Sequence, residues 1–343
     1  MKYKYQGGNL PPVNFVMGCN MKIRIGIVGY GNVGKGAAKA IASNSDMELK
    51  AIFTRRDPAS IQINDPNVSV LSIDVAESMV GEIDVCILCG GSATDLPEQG
   101  PYFASMFNTV DSYDTHAKIP EYMAKIDAVA TKTTAIISTG WDPGLFSMMR
   151  SLFETALPTG TNYTFWGKGF SQGHSDAVRR IKGVKYAAQY TIPIEKAVES
   201  VRHGQAPDLT AREKHLRECF VVIEPDANRA EIETSIKTMP HYFVDYDTTV
   251  HFIDTDEFMT NHTEMPHGGM VIRSGSTGEN KQILEFSLKL SSNPEFTSSV
   301  LISYARAAYR LSREECFGAK TVYDVPLSYL SQKDRMELIK ELL

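Results

Sequence analysis

The sequence has neither a long apolar run nor an excess of positive charge. No apolar stretch approaches the roughly 18 residues that a membrane-spanning helix needs. The 41 Asp and Glu residues outnumber the 35 Lys and Arg residues, for a formal net charge of −6, which argues against a general nucleic-acid binder. These deficits predict a soluble cytoplasmic protein with no membrane or nucleic-acid partner.

Cysteine and histidine lack the spacing of a metal site. One C-x-x-C pair occurs, Cys86 and Cys89, inside the apolar run DVCILCGG. Residues three apart on a strand point to opposite faces, so one ion could not easily bind both thiolates. His174, His262 and His267 fit no H-E-x-x-H or comparable pattern. We expect no metal, and buried free cysteines in a reducing compartment.

The first twenty residues do not resemble a signal peptide. They have no apolar central region, and Pro11-Pro12 would break a helix. Met21 then begins MKIRIGIVGYG, a natural start for a folded domain. We interpret residues 1–20 as an extension.

Strands alternate with helices over the first 140 residues. Apolar runs predict strands at 22–28, 47–54, 67–73 and 84–90, and NTVDSYD and TAIISTG predict two more. Helices are expected at about 32–43, from near Pro97, and at about 120–130. This alternation predicts an α/β fold with a Rossmann-type, doubly wound parallel sheet.

The pattern changes after Gly140, where strand-like runs follow one another with shorter helical stretches between them. NYTFWGK, GVKYAAQYTI, ECFVVIEP, TTVHFID, GGMVIRSG and KQILEFSLKL predict a mostly antiparallel sheet in a second, α+β domain. A long helix from Asn293, with Asn as its cap and Pro in its first turn, should pack back on the first domain. The predicted domains are 21–140, completed by 293–343, and 141–292.

A glycine fingerprint follows the first predicted strand and opens the first predicted helix. In G-x-G-x-x-G, Gly29 allows the tight turn, Gly31 lets the backbone approach a pyrophosphate, and Gly34 lets helix and strand pack closely. The helix N-terminus then faces the phosphates with its partial positive charge. The loop predicted to bind a dinucleotide is Gly29, Tyr30, Gly31, Asn32, Val33 and Gly34; the alternative is a tight turn with no ligand.

The second strand ends in cations where this fold usually places a carboxylate for the ribose 2′-hydroxyl. Thr54, Arg55 and Arg56 occupy that place. Arg supplies charge and fork-shaped donors that suit a 2′-phosphate, and Thr54 can add a hydroxyl. We therefore expect NADP(H) in preference to NAD(H); the alternative is a solvated Arg pair at a strand end.

Three further turns follow predicted strands, at the edge where open α/β sheets bind ligands. In CGGSATDLPEQ, small residues permit close approach to the cofactor and hydroxyls can bind its phosphate or ribose; the candidates are Cys89, Gly90, Ser92 and Thr94. VDSYDTH carries Asp111, Asp114 and His116, and STGWDPG carries Trp141 and Asp142. Turn chemistry alone remains open for all three segments.

These segments together resemble one family. IGIVGYGNVGKG, FTRRDP, CGGSATDLPEQ, VDSYDTH, STGWDPG, FWGKGFSQGHSDAVRRI, RECFVV, TMPHYF and MPHGG are similar to meso-diaminopimelate dehydrogenase from Met21 to about Pro326. The resemblance implies a homodimeric enzyme of lysine and peptidoglycan precursor synthesis. It would oxidatively deaminate the D-centre of meso-2,6-diaminopimelate with NADP, giving L-2-amino-6-oxopimelate and ammonia.

The resemblance also implies roles for single residues. The domain at 141–292 would bind substrate and form the dimer. Asp114 and Asp142 would lie near the reacting amino-acid end, between the pocket walls Trp141 and Trp166. The other substrate-binding residues would be Gln172, Gly173, Thr191, Arg217 and His267, the last three at the distal L end. Either carboxylate could hold the ammonium and assist proton transfer.

Two alternatives differ in substrate or in class. One is an NADP-linked reductase of similar build that acts on another amino or oxo acid. The other is a non-catalytic NADP sensor, which would not need the Asp, Trp, Arg and His side chains of the second half.

Overall fold

The structure, a computed structural model, describes residues 22–343. The predicted extension at 1–20 lies outside this range. The elements of the first part are β1 (Ile23–Val28), α1 (Asn32–Ala42), β2 (Met47–Thr54), β3 (Ser69–Ser72), β4 (Val85–Leu88), α2 (Leu96–Ala104), β5 (Asn108–Asp111), α3 (Ile119–Val129) and β6 (Thr134–Ile136). Every strand and helix predicted here is present; most ends differ by one or two residues, but β5 and β6 end three and four residues earlier than predicted.

The second part is richer in strands. Its elements are α4 (Leu145–Ala156), β7 (Gly160–Trp166), β8 (Gly169–Phe170), α5 (Gln172–Arg179), β9 (Val184–Pro193), α6 (Glu195–Arg202), α7 (Ala211–Lys214), β10 (His215–Ile223), α8 (Arg229–Lys237), β11 (Asp247–Phe252), α9 (Thr255–Asn261), β12 (His267–Thr277) and β13 (Asn280–Leu290). The chain ends with α10 (Asn293–Arg313), β14 (Gly318–Lys320), α11 (Leu327–Leu330) and α12 (Arg335–Leu342).

Seven parallel strands form the large sheet, in the order β14-β6-β5-β4-β1-β2-β3. Helices cover both faces, so strands such as β1 and β4 are apolar and almost completely buried. Cys86 and Cys89 pack into different core clusters on opposite faces, as the sequence predicted. The Rossmann-type α/β prediction is confirmed.

The second part contains two sheets, whereas the sequence suggested one. Strands β11-β10-β9-β8 form the first sheet and β13-β12-β7 the second. All pairs are antiparallel except β10 with β11, which run parallel because α8 crosses between them. The mostly antiparallel character is therefore confirmed, and the single sheet was wrong.

Helix α10 returns to the large sheet and packs against α1, as expected. Ser298 Oγ donates to the Val33 carbonyl at 2.7 Å, and Lys39 pairs with Glu295 at 2.5 Å. The predicted cap was wrong: Ser292 precedes the helix, and Asn293 is its first residue. Within 22–343, no helix has the length and apolar character needed to cross a membrane.

Candidate active site

One cavity of about 460 Å³ lies between the loops that follow β5 and β6 and the strands of the second part. We call it the central cavity. It is lined by Val33, Ser112, Asp114, His116, Gly140, Trp141, Asp142, Pro143, Trp166, Phe170, Ser171, Gln172, Gly173, His174, Thr191, Arg217, His267, Asn293, Pro294 and Thr297. The lining includes every residue that the sequence analysis assigned to catalysis or substrate binding.

The glycine loop has the backbone that a bound pyrophosphate requires. Gly29 has a φ of +90°, which L side chains rarely adopt, and a Cβ on Gly34 would lie 2.1 Å from the Gly29 carbonyl oxygen. A Cβ on Gly31 would meet no protein atom within 4 Å, so this side of the loop is open. Helix α1 begins at Asn32 without a side-chain cap, so its first N–H groups are free for an anion. These residues fit a dinucleotide.

The cations after β2 lie beside this loop. Arg56 Nη2 donates to the Tyr30 carbonyl at 2.8 Å, which joins the two segments. Arg55 forms an exposed ion pair with Asp95 at 2.9 Å. Thr54 is buried, and its hydroxyl accepts the Arg56 N–H. Thr54 therefore shapes the turn, whereas the two guanidinium groups are accessible to a 2′-phosphate.

The turn after β4 contacts the loop that carries Asp114 in the central cavity. Ser92 Oγ accepts the backbone N–H of Asp114 at 2.8 Å. Asp95 accepts the N–H of Gly91, and the Thr94 N–H donates to the carbonyl of Gly91. Cys89 is half-buried, and its thiol donates to the Ile87 carbonyl. This turn therefore links the cofactor loop to a candidate catalytic carboxylate.

Asp142 is held from two sides. Arg150 Nη2 lies 2.6 Å from Asp142 Oδ1, and Trp166 Nε1 donates to Asp142 Oδ2 at 2.7 Å. The Asp142 side chain is only 4% exposed. A carboxylate with a cation on one oxygen and an indole N–H on the other is fixed in position.

Asp114 is in a different environment. It is exposed, and among residues 22–343 no side chain forms a hydrogen bond or ion pair with its carboxylate. Asp111, three residues earlier, has a structural role instead. Its carboxylate accepts the N–H groups of Tyr113 and Ser138 and the Tyr122 hydroxyl, and burial raises its pKa. Of the two aspartates in this loop, only Asp114 is therefore accessible to a ligand.

Aromatic rings form the wall beside Asp142. Trp141 Nε1 donates to Asn293 Oδ1 at 2.8 Å, and its ring centroid lies 4.8 Å from that of His267. Trp166 is 36% exposed and stacks on His215, whose Nε2 accepts the Trp166 backbone N–H. These contacts fix both indole rings. The indole Nε1–H of Trp166 is thereby directed at Asp142.

Strand β10 contributes a buried cation to the central cavity. Arg217 is 7% exposed, donates through Nη1 to Thr191 Oγ1, and has no partner for its Nε. Within the described range, no carboxylate pairs with it. A buried guanidinium without a counter-ion favours an anionic ligand.

The histidines near Arg217 are neutral. Burial, and next the charge of Arg217, lowers the pKa of His174 and that of His215 to about 3. Burial also lowers the pKa of His267. Arg217 is therefore the charge that determines the local potential, and neutral imidazoles remain available as hydrogen-bond partners.

Helix α5 begins at the cavity with Gln172 and Gly173. No side chain caps its first turn, because Ser171 Oγ is bonded to His174 Nδ1 instead. A Cβ on Gly173 would meet nothing within 4 Å. Backbone N–H groups of this turn are therefore accessible to a second anionic group of a ligand.

Sequence reasoning missed three residues of this site. Arg150 gave no signal, because a lone arginine eight residues after Asp142 on an amphipathic helix is usually solvated. Asn293 was interpreted as a helix cap, and the contact of His215 with Trp166 could not be seen from the sequence. Residues 22–343 contain no cluster of His, Cys, Asp or Glu that could hold a metal ion.

Comparisons with known proteins agree with this geometry. The diaminopimelic acid dehydrogenase C-terminal domain matches residues 140–292. The chain is 63% identical to the meso-diaminopimelate D-dehydrogenase of Ureibacillus thermosphaericus, over 94% of this chain and 99% of that protein. The chain belongs to the meso-diaminopimelate D-dehydrogenase family.

Solved structures of relatives extend the likeness to the whole fold. The crystal structure of a meso-DAPDH variant from Clostridium tetani with DAP has 56% identity and a TM-score of 0.89, and covers 94% of this chain and 100% of that one. An engineered D-amino acid dehydrogenase bound to NADP+ has 43% identity and a TM-score of 0.84, with the same coverage. The resemblance seen in the sequence motifs is confirmed.

Proposed function

We propose that the protein catalyses the reversible, NADP-dependent oxidative deamination of meso-2,6-diaminopimelate at its D-centre. With water and NADP+, the products are L-2-amino-6-oxopimelate, ammonia and NADPH. Membership of the family supports this reaction over both alternatives, the reductase of another amino or oxo acid and the non-catalytic sensor.

The observation that carries the proposal is the polarity of the central cavity. Asp114 and Asp142 line it from the loops that follow β5 and β6 of the large sheet, whereas Thr191, Arg217 and His267 line it from β9, β10 and β12 of the second part. Diaminopimelate has an ammonium and a carboxylate at each end. Carboxylates near the cofactor suit the reacting ammonium, and a buried guanidinium suits the distal carboxylate.

The two ends of the substrate are held differently. We assign the distal L carboxylate to Arg217, with hydrogen bonds from Thr191 and His267. The D carboxylate can reach the free N–H groups of Gln172 and Gly173 at the start of α5. Because both ends of the substrate are fixed, the D-carbon has little freedom and is positioned for hydride transfer to the cofactor.

The two aspartates divide the work at the reacting end. Asp142 is saturated by Arg150 and Trp166, so it attracts and orients the ammonium without readily taking its proton. Asp114 is unpaired and accessible, so it accepts a proton from the ammonium before oxidation and can assist the attack of water afterwards. The cofactor supplies, when bound, the acceptor for the hydride of the D-carbon. Trp141 and Trp166 exclude bulk water from this carbon.

The residues at the ends of β1, β2 and β4 form the proposed cofactor site. We assign the pyrophosphate to the loop from Gly29 to Gly34 and the 2′-phosphate to Arg55 and Arg56. The turn of Cys89, Gly90, Ser92 and Thr94 lies against the cofactor, with Ser92 bonded to Asp114. We also propose a cytoplasmic homodimer, as the family resemblance implies; light scattering on the purified protein tests the dimer.

The direct test is NADPH formation with separate diaminopimelate stereoisomers. The meso isomer should support turnover with NADP+, and the LL isomer, which has no D-centre, should not. A simple D-amino acid, which has no second amino-acid group at its far end, should be a poor substrate when it is tested alone. Absence of NADPH with the meso isomer, or equal rates with the LL isomer, would contradict the proposal.

A further inference from the structure

Arg217 separates two cavities. One is the central cavity; the other, about 430 Å³ in volume, lies behind it, and we call it the rear cavity. Arg217 lines both. Glu218 and Asp247 line the rear cavity, and Asp247 already pairs with Arg212 at 2.5 Å. A guanidinium that turned away from Thr191 would therefore have space in the rear cavity, whose charged lining consists of Arg212, Glu218, Lys237 and Asp247.

Few contacts keep Arg217 on the substrate side. Thr191 Oγ1 accepts from Nη1, and Nε has no partner. The remaining contact is with Tyr246, whose ring centroid lies 4.0 Å from the Arg217 Cζ atom. This distance corresponds to a guanidinium stacked on an aromatic ring. Burial lowers the pKa of Arg217, and the charge and hydrogen bonding of the Tyr246 hydroxyl act in the opposite direction.

The backbone fixes Tyr246 independently of Arg217. Tyr246 immediately precedes β11, and its N–H donates to the carbonyl of the buried Phe243 at 2.9 Å. Strand β11 pairs with β10 so that Thr248 lies opposite Arg217. The position of the Tyr246 backbone therefore does not depend on the Arg217 side chain.

We propose that Tyr246 is a positioning residue that sets specificity for substrates with a distal carboxylate. It acts through Arg217: the ring holds the guanidinium plane towards the central cavity and closes the route to the rear cavity. This inference rests on the proposed role of Arg217 in binding the L carboxylate.

The first test compares Tyr246→Leu with Tyr246→Phe on two substrates. D-Lysine is the matched control substrate, because it has the skeleton of meso-diaminopimelate without the L carboxylate. The leucine variant should lower kcat/KM for meso-diaminopimelate about 10-fold, mainly through KM, and leave D-lysine unchanged within about 2-fold. Phenylalanine keeps the ring face and should restore most of the loss. Equal losses on both substrates, with a lowered Tm, would overturn the inference.

A double-mutant cycle with Arg217→Met separates this inference from the function on which it rests. In the Arg217→Met background, Tyr246→Leu should have no further effect on the ratio of the two substrates. A full, additive effect of Tyr246→Leu there would overturn the inference. If Arg217→Met lowers the ratio but Tyr246→Leu alone does not, Arg217 binds the carboxylate and Tyr246 does not position it. If Arg217→Met leaves the ratio unchanged, the proposed distal site itself is wrong.

Discussion

Arg150 extends from α4 to place its Nη2 2.6 Å from Oδ1 of Asp142. Its Nη1 donates to Thr164 Oγ1 at 3.2 Å, and this contact fixes the guanidinium group against β7. The arginine thus compensates the charge of a carboxylate whose side chain is almost completely buried in the wall of the central cavity. This pair supplies the counter-charge that a carboxylate needs in an aromatic-walled cavity.

Replacing Arg150 should therefore impair catalysis although Arg150 does not line the central cavity. Arg150→Met leaves Asp142 without its counter-charge, which should lower the free energy of unfolding by up to about 3 kcal/mol, and kcat/KM should fall because Asp142 is no longer held in place. Arg150→Lys keeps the charge and should lose much less. Steady-state kinetics check this, and unchanged kinetics in the methionine variant would refute the role.

The two aspartates should give different kinetic signatures. Asp142→Asn removes the charge that orients the ammonium, so KM for the substrate should rise. Asp114→Asn removes the proton acceptor, so kcat should fall about 100-fold or more. NADP affinity, measured by fluorescence titration, should be nearly unchanged in both. Wild-type kinetics in both variants would mean that these residues only shape turns.

The cofactor preference should depend on the two cations after β2. Charged hydrogen bonds contribute about 1.5–3 kcal/mol each, so changing Arg55 and Arg56 together to Ala should weaken NADP by about 100-fold or more. Binding of NAD, which lacks the 2′-phosphate, should change little. Calorimetric titration of both cofactors distinguishes this from a general effect, since equal losses would show that the arginines support the loop and not the phosphate.

Much of the candidate site could be predicted from the sequence, because its short sequence motifs lie at the ends of predicted strands, where this fold binds ligands. The glycine fingerprint, the Arg55-Arg56 pair and the aspartates after β5 and β6 lie at strand ends, where the fold brings ligands. Arg150 and Tyr246 could not be predicted in this way. Each acts on a residue of another element, so its role depends on tertiary distance. The second sheet was missed because strand runs do not reveal which strands pair.

Acid should destabilise the protein partly through His215. Its pKa is about 3 in the folded state, against about 6.5 when unfolded. The unfolded state therefore binds more protons between these values, and stability falls as pH decreases below about 6.5, by about 1.4 kcal/mol per pH unit for one such group. Denaturant unfolding at pH 7, 6 and 5 measures this slope. His215→Gln, which keeps an acceptor for Trp166, should show a smaller slope; identical slopes would contradict the assignment.

The most direct test of the whole account follows a deuterium label into the cofactor. The account places the D-carbon at the reacting end, between Asp114 and Asp142, and the L end at Arg217. Two preparations of meso-diaminopimelate, deuterated at the D-carbon or at the L-carbon, are oxidised with NADP+, and the NADPH is examined by mass spectrometry. The account predicts labelled NADPH from the D-deuterated substrate and unlabelled NADPH from the L-deuterated one. Label transferred from the L-carbon would contradict it.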